Sequence, residues 1–330
     1  RRLILSRVDT SVGQVAFSML ASTDGNAGPF ALSVSDTLTI TTDAGGPVSS
    51  TALAATLASH AGVAGSFPTG FVGGEFISLS IENGPVFVVY FSAADQTNTA
   101  VAARINEAFG QTIADLPGGE VRIRGIFPGS ASRVVLAGNA ATLTTLGLTA
   151  GTYSGAGNVA NINAVTAAEV VTIVNGTAGL AAIGALALVT DEGNVRVYSE
   201  TPGVGTVALT ATAMATSIGL VSGSTFSAGI HDAGIVAAGT RVRVAGGSEW
   251  VTMQTMTVEE GTSASPVGGP FVVKVRPAVD DATALGTAIA TVITCVDQPP
   301  FGNLAVTNPA ALPAALNEVQ MDVAYGAAFD

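Results

Sequence analysis

Along most of the chain Val, Ile and Thr alternate with small polar residues, and Gly or Pro breaks the alternation about every ten residues. That is the period-2 pattern of short, half-buried strands separated by tight turns. Residues 37–42 (TLTITT) alternate cleanly and stop at the turn cluster Asp43-Ala44-Gly45-Gly46-Pro47. Residues 76–82 (FISLSIE) and 86–91 (VFVVYF) flank Asn83-Gly84. Asn-Gly between two alternating runs is a strong hairpin signal, because both residues tolerate the left-handed backbone of a type I′ turn.

The pattern repeats itself. Residues 97–106 (TNTAVAARIN) match 166–175 (TAAEVVTIVN) at an offset of 69, and 119–124 (GEVRIR) match 193–198 (GNVRVY) at 74. Pro128-Gly129 matches Pro202-Gly203, again at 74, and Leu146-Gly147-Leu148 matches Ile218-Gly219-Leu220 at 72. Four elements in one order imply a duplicated unit: a helix, a strand, a Pro-Gly turn, a strand and a small closing helix. In the second copy Thr166 and Glu169 form a capping box, Val165 and Val170 are placed as a hydrophobic staple, and Asn175-Gly176 supplies the stop. In the first, Val101, Ile105, Ala108 and Phe109 make the apolar stripe and Gly110 ends it.

After Gly223 the helical period fades. Residues 236–244, 250–258 and 270–275 read as strands of a separate β-rich unit, and 282–292 as a small-residue helix or another strand pair. The predicted fold class is α+β, mostly β: two related small modules, each an antiparallel sheet with a short helix, followed by a β-rich module. The predicted boundaries are an N-terminal arm over 1–27, a first module over 28–151, a second over 152–228, the β-rich module over 229–318 and a C-terminal arm over 319–330.

Composition narrows the classes of partner and function. Only 11% of residues are charged, against 48% hydrophobic, about half the usual charged share. Twelve Lys+Arg against 24 Asp+Glu give a net charge of −12, which argues against nucleic acid or an anionic membrane as partner. One Cys excludes a disulfide framework. The longest apolar run, residues 178–189, has 12 residues, short of the ~20 a spanning helix needs.

Candidate chemistry is sparse. His60 and His231 cannot build a three-histidine metal site, and His231-Asp232 would sit on opposite faces of a strand, so a solvated loop pair is the simpler reading. Gly261-Thr262-Ser263-Ala264-Ser265 lacks the last glycine of a nucleophile elbow and reads as a turn. Residues 155–160 (GAGNVA) have the outline of a dinucleotide loop but follow turn-like residues, so a linker between copies is favoured. Lys274 is the only lysine. Glu259-Glu260 and Asp280-Asp281 lack the spacing of a Ca²⁺ loop and read as solvated turns. Trp250, the only tryptophan, follows Gly246-Gly247-Ser248-Glu249 in a hairpin-like turn where partial exposure is expected, with core or interface anchoring as its default role. No catalytic, cofactor or metal residues are expected. The candidate interface residues are Arg1, Arg2, Trp250, Tyr325 and Phe329.

A resemblance then enters. Gly28-Pro29-Phe30-Ala31-Leu32, residues 36–40 (DTLTI), Asp43-Ala44-Gly45-Gly46, Ala94-Asp95, residues 102–106 (AARIN), residues 119–124 and Leu146-Gly147-Leu148 resemble a module of tailed-bacteriophage structural proteins. There a GPF-L-DTLTI hairpin leads to an A-IN helix and a hairpin ending in LGL, and the likeness covers roughly 28–223. Residues 238–242 (AGTRV), Trp250-Val251-Thr252, Val273-Lys274-Val275, Phe301-Gly302-Asn303 and residues 306–309 (VTNP) are similar to the β-module of J-type baseplate wedge proteins. The acidic glycine-rich run that follows there is replaced by residues 310–318 (AALPAALNE). The resemblance implies a non-enzymatic virion subunit, in tail, baseplate or neck, whose partners are copies of itself and other virion proteins, with no cofactor. A capsid decoration protein and a secreted adhesin or S-layer-like protein are the alternatives; the last would show Ca²⁺-dependent stability.

Overall fold

The structure is a computed structural model that describes residues 13–66, 70–230, 233–244, 249–277, 292–295 and 303–307. The expectations for Arg1, Arg2, Tyr325, Phe329, the His231-Asp232 pair, Asp280-Asp281, residues 282–291 and the arm over 319–330 lie outside the described residues.

The architecture is α+β and mostly β, and its units are nested. The path opens with β1 (Gly13–Leu20), β2 (Ser22–Ala27) and the hairpin β3 (Thr39–Thr42) and β4 (Gly45–Ser49). It then builds a complete unit: β5 (Ser59–Ala61), β6 (Phe76–Ile81), β7 (Phe87–Tyr90), α1 (Asn98–Phe109), β8 (Ala114–Asp115), β9 (Arg122–Arg124), β10 (Arg133–Gly138), α2 (Ala140–Thr145) and β11 (Gly151–Ser154). Next come α3 (Ala167–Asn175), α4 (Ala178–Ala182), β12 (Ala185–Val189), β13 (Asn194–Ser199), β14 (Thr206–Leu209), α5 (Ala213–Ser217) and β15 (Thr225–Ser227). The path closes with β16 (Gly234–Val236), β17 (Arg241–Val244), β18 (Glu249–Thr252), β19 (Met256–Val258), β20 (Phe271–Pro277), β21 (Val292–Cys295) and β22 (Asn303–Thr307).

Strand pairing shows the nesting. β1 closes a six-stranded barrel, order β1-β20-β18-β17-β21-β22, with strands more than 250 residues further on. β2 pairs with β13, and β3 with β14. The barrel is therefore interrupted by a middle module, and the middle module, between β4 and α3, by an inner module. This corrects two boundaries. The described part of the expected N-terminal arm is not an arm but strands β1 and β2, held in the barrel and the middle module. The DTLTI hairpin belongs to the middle module rather than to the residues that follow it.

Inner and middle modules have one topology. The sheets β5-β9-β8 and β11-β10-β6-β7 of the inner correspond to β2-β13-β12 and β15-β14-β3-β4 of the middle. The polar details recur as well. Asn106 Nδ2 donates to Ala114 O at 2.9 Å and its Oδ1 accepts Ala114 N–H at 2.8 Å, while Asn175 holds Ala187 O and N–H at 2.9 and 2.8 Å. Each asparagine satisfies both backbone groups of one strand residue beside its helix, groups that are costly to bury unpaired. Glu82 accepts Arg133 N–H at 2.7 Å as Asp43 accepts Thr206 N–H at 3.0 Å, so one acidic hairpin-turn residue anchors the next strand in both copies.

Helix boundaries follow the sequence closely. Thr97 and Thr166 are the N-caps of α1 and α3, the capping box with Glu169 is complete, and Gly110 ends α1 in the left-handed conformation. Ala102, not Ala108, completes the buried stripe of α1 with Val101 and Ile105. Ala108 faces solvent. The Asn83-Gly84 hairpin is present as β6–β7, but the left-handed pair is Glu82-Asn83. Glu82 is fixed there because its carboxylate also takes Ile126 N–H at 2.9 Å and the Ser132 hydroxyl at 3.1 Å.

Two cores result. One, from Ala58 to Leu148, belongs to the inner module alone; the other runs without a break from the middle module through Val242, Trp250, Val273 and Val275 of the barrel.

Candidate functional site

The neck of the inner module explains the glycine-rich residues 155–160. Thr56 N–H donates to Ala156 O at 2.7 Å, Asn158 N–H to Ala54 O at 3.0 Å, and Asn158 Nδ2 to Ala52 O at 2.9 Å. Outgoing and returning chains thus run side by side. A Cβ on Gly155 or Gly157 would overlap carbonyl oxygens of Gly129 and Ala54 respectively. The linker reading holds. Residues 151–154, expected as turn, are strand β11, but no helix follows directly to bind a dinucleotide: the next α-helix starts at Ala167.

Trp250 takes the core role and not the partly exposed interface role expected for it. It is fully buried, with 0% exposure, between Val242 and Pro277 on the neighbouring barrel strands. It is a core residue and not an interface residue. The alternation that exposes one face of an open hairpin turns that face inward once the sheet closes.

Four carboxylates of the two modules, Asp24, Asp43, Glu82 and Asp115, bond across strands. Arg122 grips Asp115 through two bonds of 2.7 and 2.6 Å, with Arg124 Nε 3.4 Å away; Arg196 grips Asp24 at 2.6 and 2.7 Å. The Arg122 hydrogen bonds hold Asp115 below the usual carboxylate range. Both pairs lie directly across two neighbouring strands, the geometry of a sheet staple. For Asp43 and Glu169, burial works upward, and hydrogen bonds from Thr206 and from Ala160 and Thr166 bring the net shift below the ordinary value. Among the described residues no three His, Cys, Asp or Glu side chains gather to hold a metal. Glu259, Glu260 and Lys274 are exposed, and Thr262 and Ser265 exchange backbone bonds in a turn.

His60 is structural. Its ring stacks on Tyr153 at 4.1 Å and 11°, its Nε2 accepts Thr149 N–H at 3.0 Å, and the Tyr153 hydroxyl donates to Thr149 O at 2.7 Å. The imidazole must be neutral to accept, and burial lowers its pKa from 6.5. A folded-state pKa below the unfolded one means the contribution is complete above pH 6.5 and is lost as the pH falls from there toward the folded value. Urea denaturation across that window should show stability falling with acidification in the wild type. His60→Gln keeps an acceptor but does not titrate, and should be level there. Equal slopes would remove His60 as the cause.

The remaining distinctive surface is the outer edge of the inner module. β7 pairs on one side only, with β6. Phe87 turns inward onto Phe109 of α1, ring centroids 4.8 Å apart, while Val86, Val88 and Tyr90 point outward at 67%, 45% and 58% exposure. Arg104 Nε donates to Tyr90 O at 3.3 Å. An open groove of about 620 Å³ begins where β7 ends, lined by Ser92, Asp95, Ala100, Ala103, Arg104 and Glu107 among others. Sequence reading found the strand but not its exposure, because alternation does not say which strand ends a sheet.

No protein-family model matches the chain, and no curated protein or solved structure matches it significantly. Among the described residues no helix is long and apolar enough to cross a membrane.

Proposed function

We propose that the chain is a non-enzymatic structural subunit of a tailed-bacteriophage particle, in tail, baseplate or neck, that packs laterally against copies of itself and other virion proteins. The observation that carries this reading is the duplicated module: one fold, with the same asparagine clamp and acidic turn anchor, built twice in one chain and set on a barrel. Two such units in one chain offer neighbours two related surfaces for lateral packing. The low charge supports it further, since a surface with 11% charged residues and outward valines at 72, 86 and 204 suits cover by neighbours better than open water. Asp24 and Asp115 act as strand staples and Asp43 and Glu82 as turn anchors, which fits a scaffold.

Light scattering on the purified full chain, with negative-stain images of the same peak, tests the reading. Trimers, hexamers, rings or tubes are expected. A stable 32.5 kDa monomer at high concentration would overturn self-assembly.

A further inference from the structure

The duplication allows one edge to be compared with its twin. In the middle module the strand equivalent to β7 is β4, and it is blocked twice. Pro47 lies in it and has no N–H to offer. Helix α4, inserted between α3 and β12, packs against it, with Gly179 beside Val48. The inner module has no helix between α1 and β8 and no proline in β7. Its edge keeps an outward apolar row at 86, 88 and 90 and one polar guard, Arg104. Proteins usually blunt such edges, since an exposed one accepts a further strand. Here the same position is blunted in one copy and open in the other.

The chain carries a segment of matching pattern beyond β22, outside the described residues. In residues 319–325 (VQMDVAY), Val319, Met321, Val323 and Tyr325 alternate with Gln320, Asp322 and Ala324, the period of a one-faced strand. Eleven residues, 308–318, separate it from the end of β22 and span at most about 40 Å. A hundred-residue module is about 30–35 Å across. The inner module hangs from the middle module by its neck, so returning to β7 of the same chain would use most of that reach to pass one module, which favours a second copy.

We propose that residues 319–325 of a second copy add as a strand to the free edge of β7, displacing the Arg104–Tyr90 bond, with their apolar face continuing the row of Val86, Val88 and Tyr90. Backbone bonds supply affinity in such additions and the alternate side chains supply specificity. The inference rests on the structural-subunit reading and names one of its contacts.

The test uses the full chain in three forms. Val88→Lys charges an outward position without touching a core. Met321→Pro/Val323→Pro removes strand donors from the segment. Both should weaken self-association at least about tenfold by light scattering, with the fluorescence of Trp250 unchanged. In the third form p-benzoylphenylalanine replaces Val88, and isotope-labelled and unlabelled copies are mixed and irradiated. Cross-links between differently labelled copies should map to residues 319–325. Variants that assemble like the wild type, or cross-links within one chain or elsewhere, would overturn the contact while the subunit reading stands. A wild type monomeric at every concentration would overturn both.

Discussion

Trp250→Ala is expected to destabilise the chain by about 3–5 kcal/mol, the usual cost of emptying a fully buried aromatic site. The side chain has no exposure and sits in the core that barrel and middle module share. Against a typical total of about 5–15 kcal/mol that loss is large. Trp250→Phe is expected to stay within about 1.5 kcal/mol of the wild type, for a reason visible in the site. The indole Nε1 is buried with no hydrogen-bond partner among the described residues, and an orphaned buried donor costs about 1–3 kcal/mol. Phenylalanine loses some packing but also removes that orphan. Urea denaturation followed by far-UV circular dichroism separates the two variants. If alanine unfolds at the wild-type midpoint, Trp250 is not the core residue that its burial describes.

How far the sequence carried depends on whether a feature is local. Thr97, Thr166, Glu169 and Gly110 mark helix ends through bonds within a few residues, and they were legible. So was the β6–β7 hairpin, though its left-handed pair moved one residue because Glu82 bonds Ile126 and Arg133, more than forty residues distant. The duplication was legible only in its second half. Equivalent positions before the insertion point are 37–39 residues apart, as Gly25 and Gly62 or Ile40 and Leu79, while those after it are 69–74 apart. A tandem duplication keeps one offset; a jump means that one copy sits inside the other. The signal was present in residues 37–42 and 76–81 but reads as generic alternation without that idea. The place of β1 in the barrel, and the burial of Trp250 that follows from closure, depend on pairing across nearly the whole chain. No local pattern encodes that.

Nesting also makes a prediction about how damage spreads. Gly25 and Gly62 are equivalent, and a Cβ on either would overlap a carbonyl oxygen, of Ile218 and of Leu146 respectively, at the end of the closing helix. The obstacle is backbone on backbone, so no side-chain rotamer relieves it. Each Gly→Ala change should cost about 1–3 kcal/mol. Their consequences should differ. Gly62 lies in the inner module, whose core is its own, and loosening that module leaves a long loop closed at its neck by the bonds of residues 52–56 with 156–158. Loop-closure cost rises only slowly with length, so the barrel can stay folded and the Trp250 fluorescence transition should not move. Gly25 lies in the middle module, whose core continues to Trp250, and Gly25→Ala should lower that transition. Segment-resolved hydrogen exchange should show protection lost over 58–148 alone for Gly62→Ala, and across both the middle module and the barrel for Gly25→Ala. Equal displacement of the Trp250 transition by the two variants would mean that the three units unfold as one, and that separate cores do not make separate cooperative units in this chain.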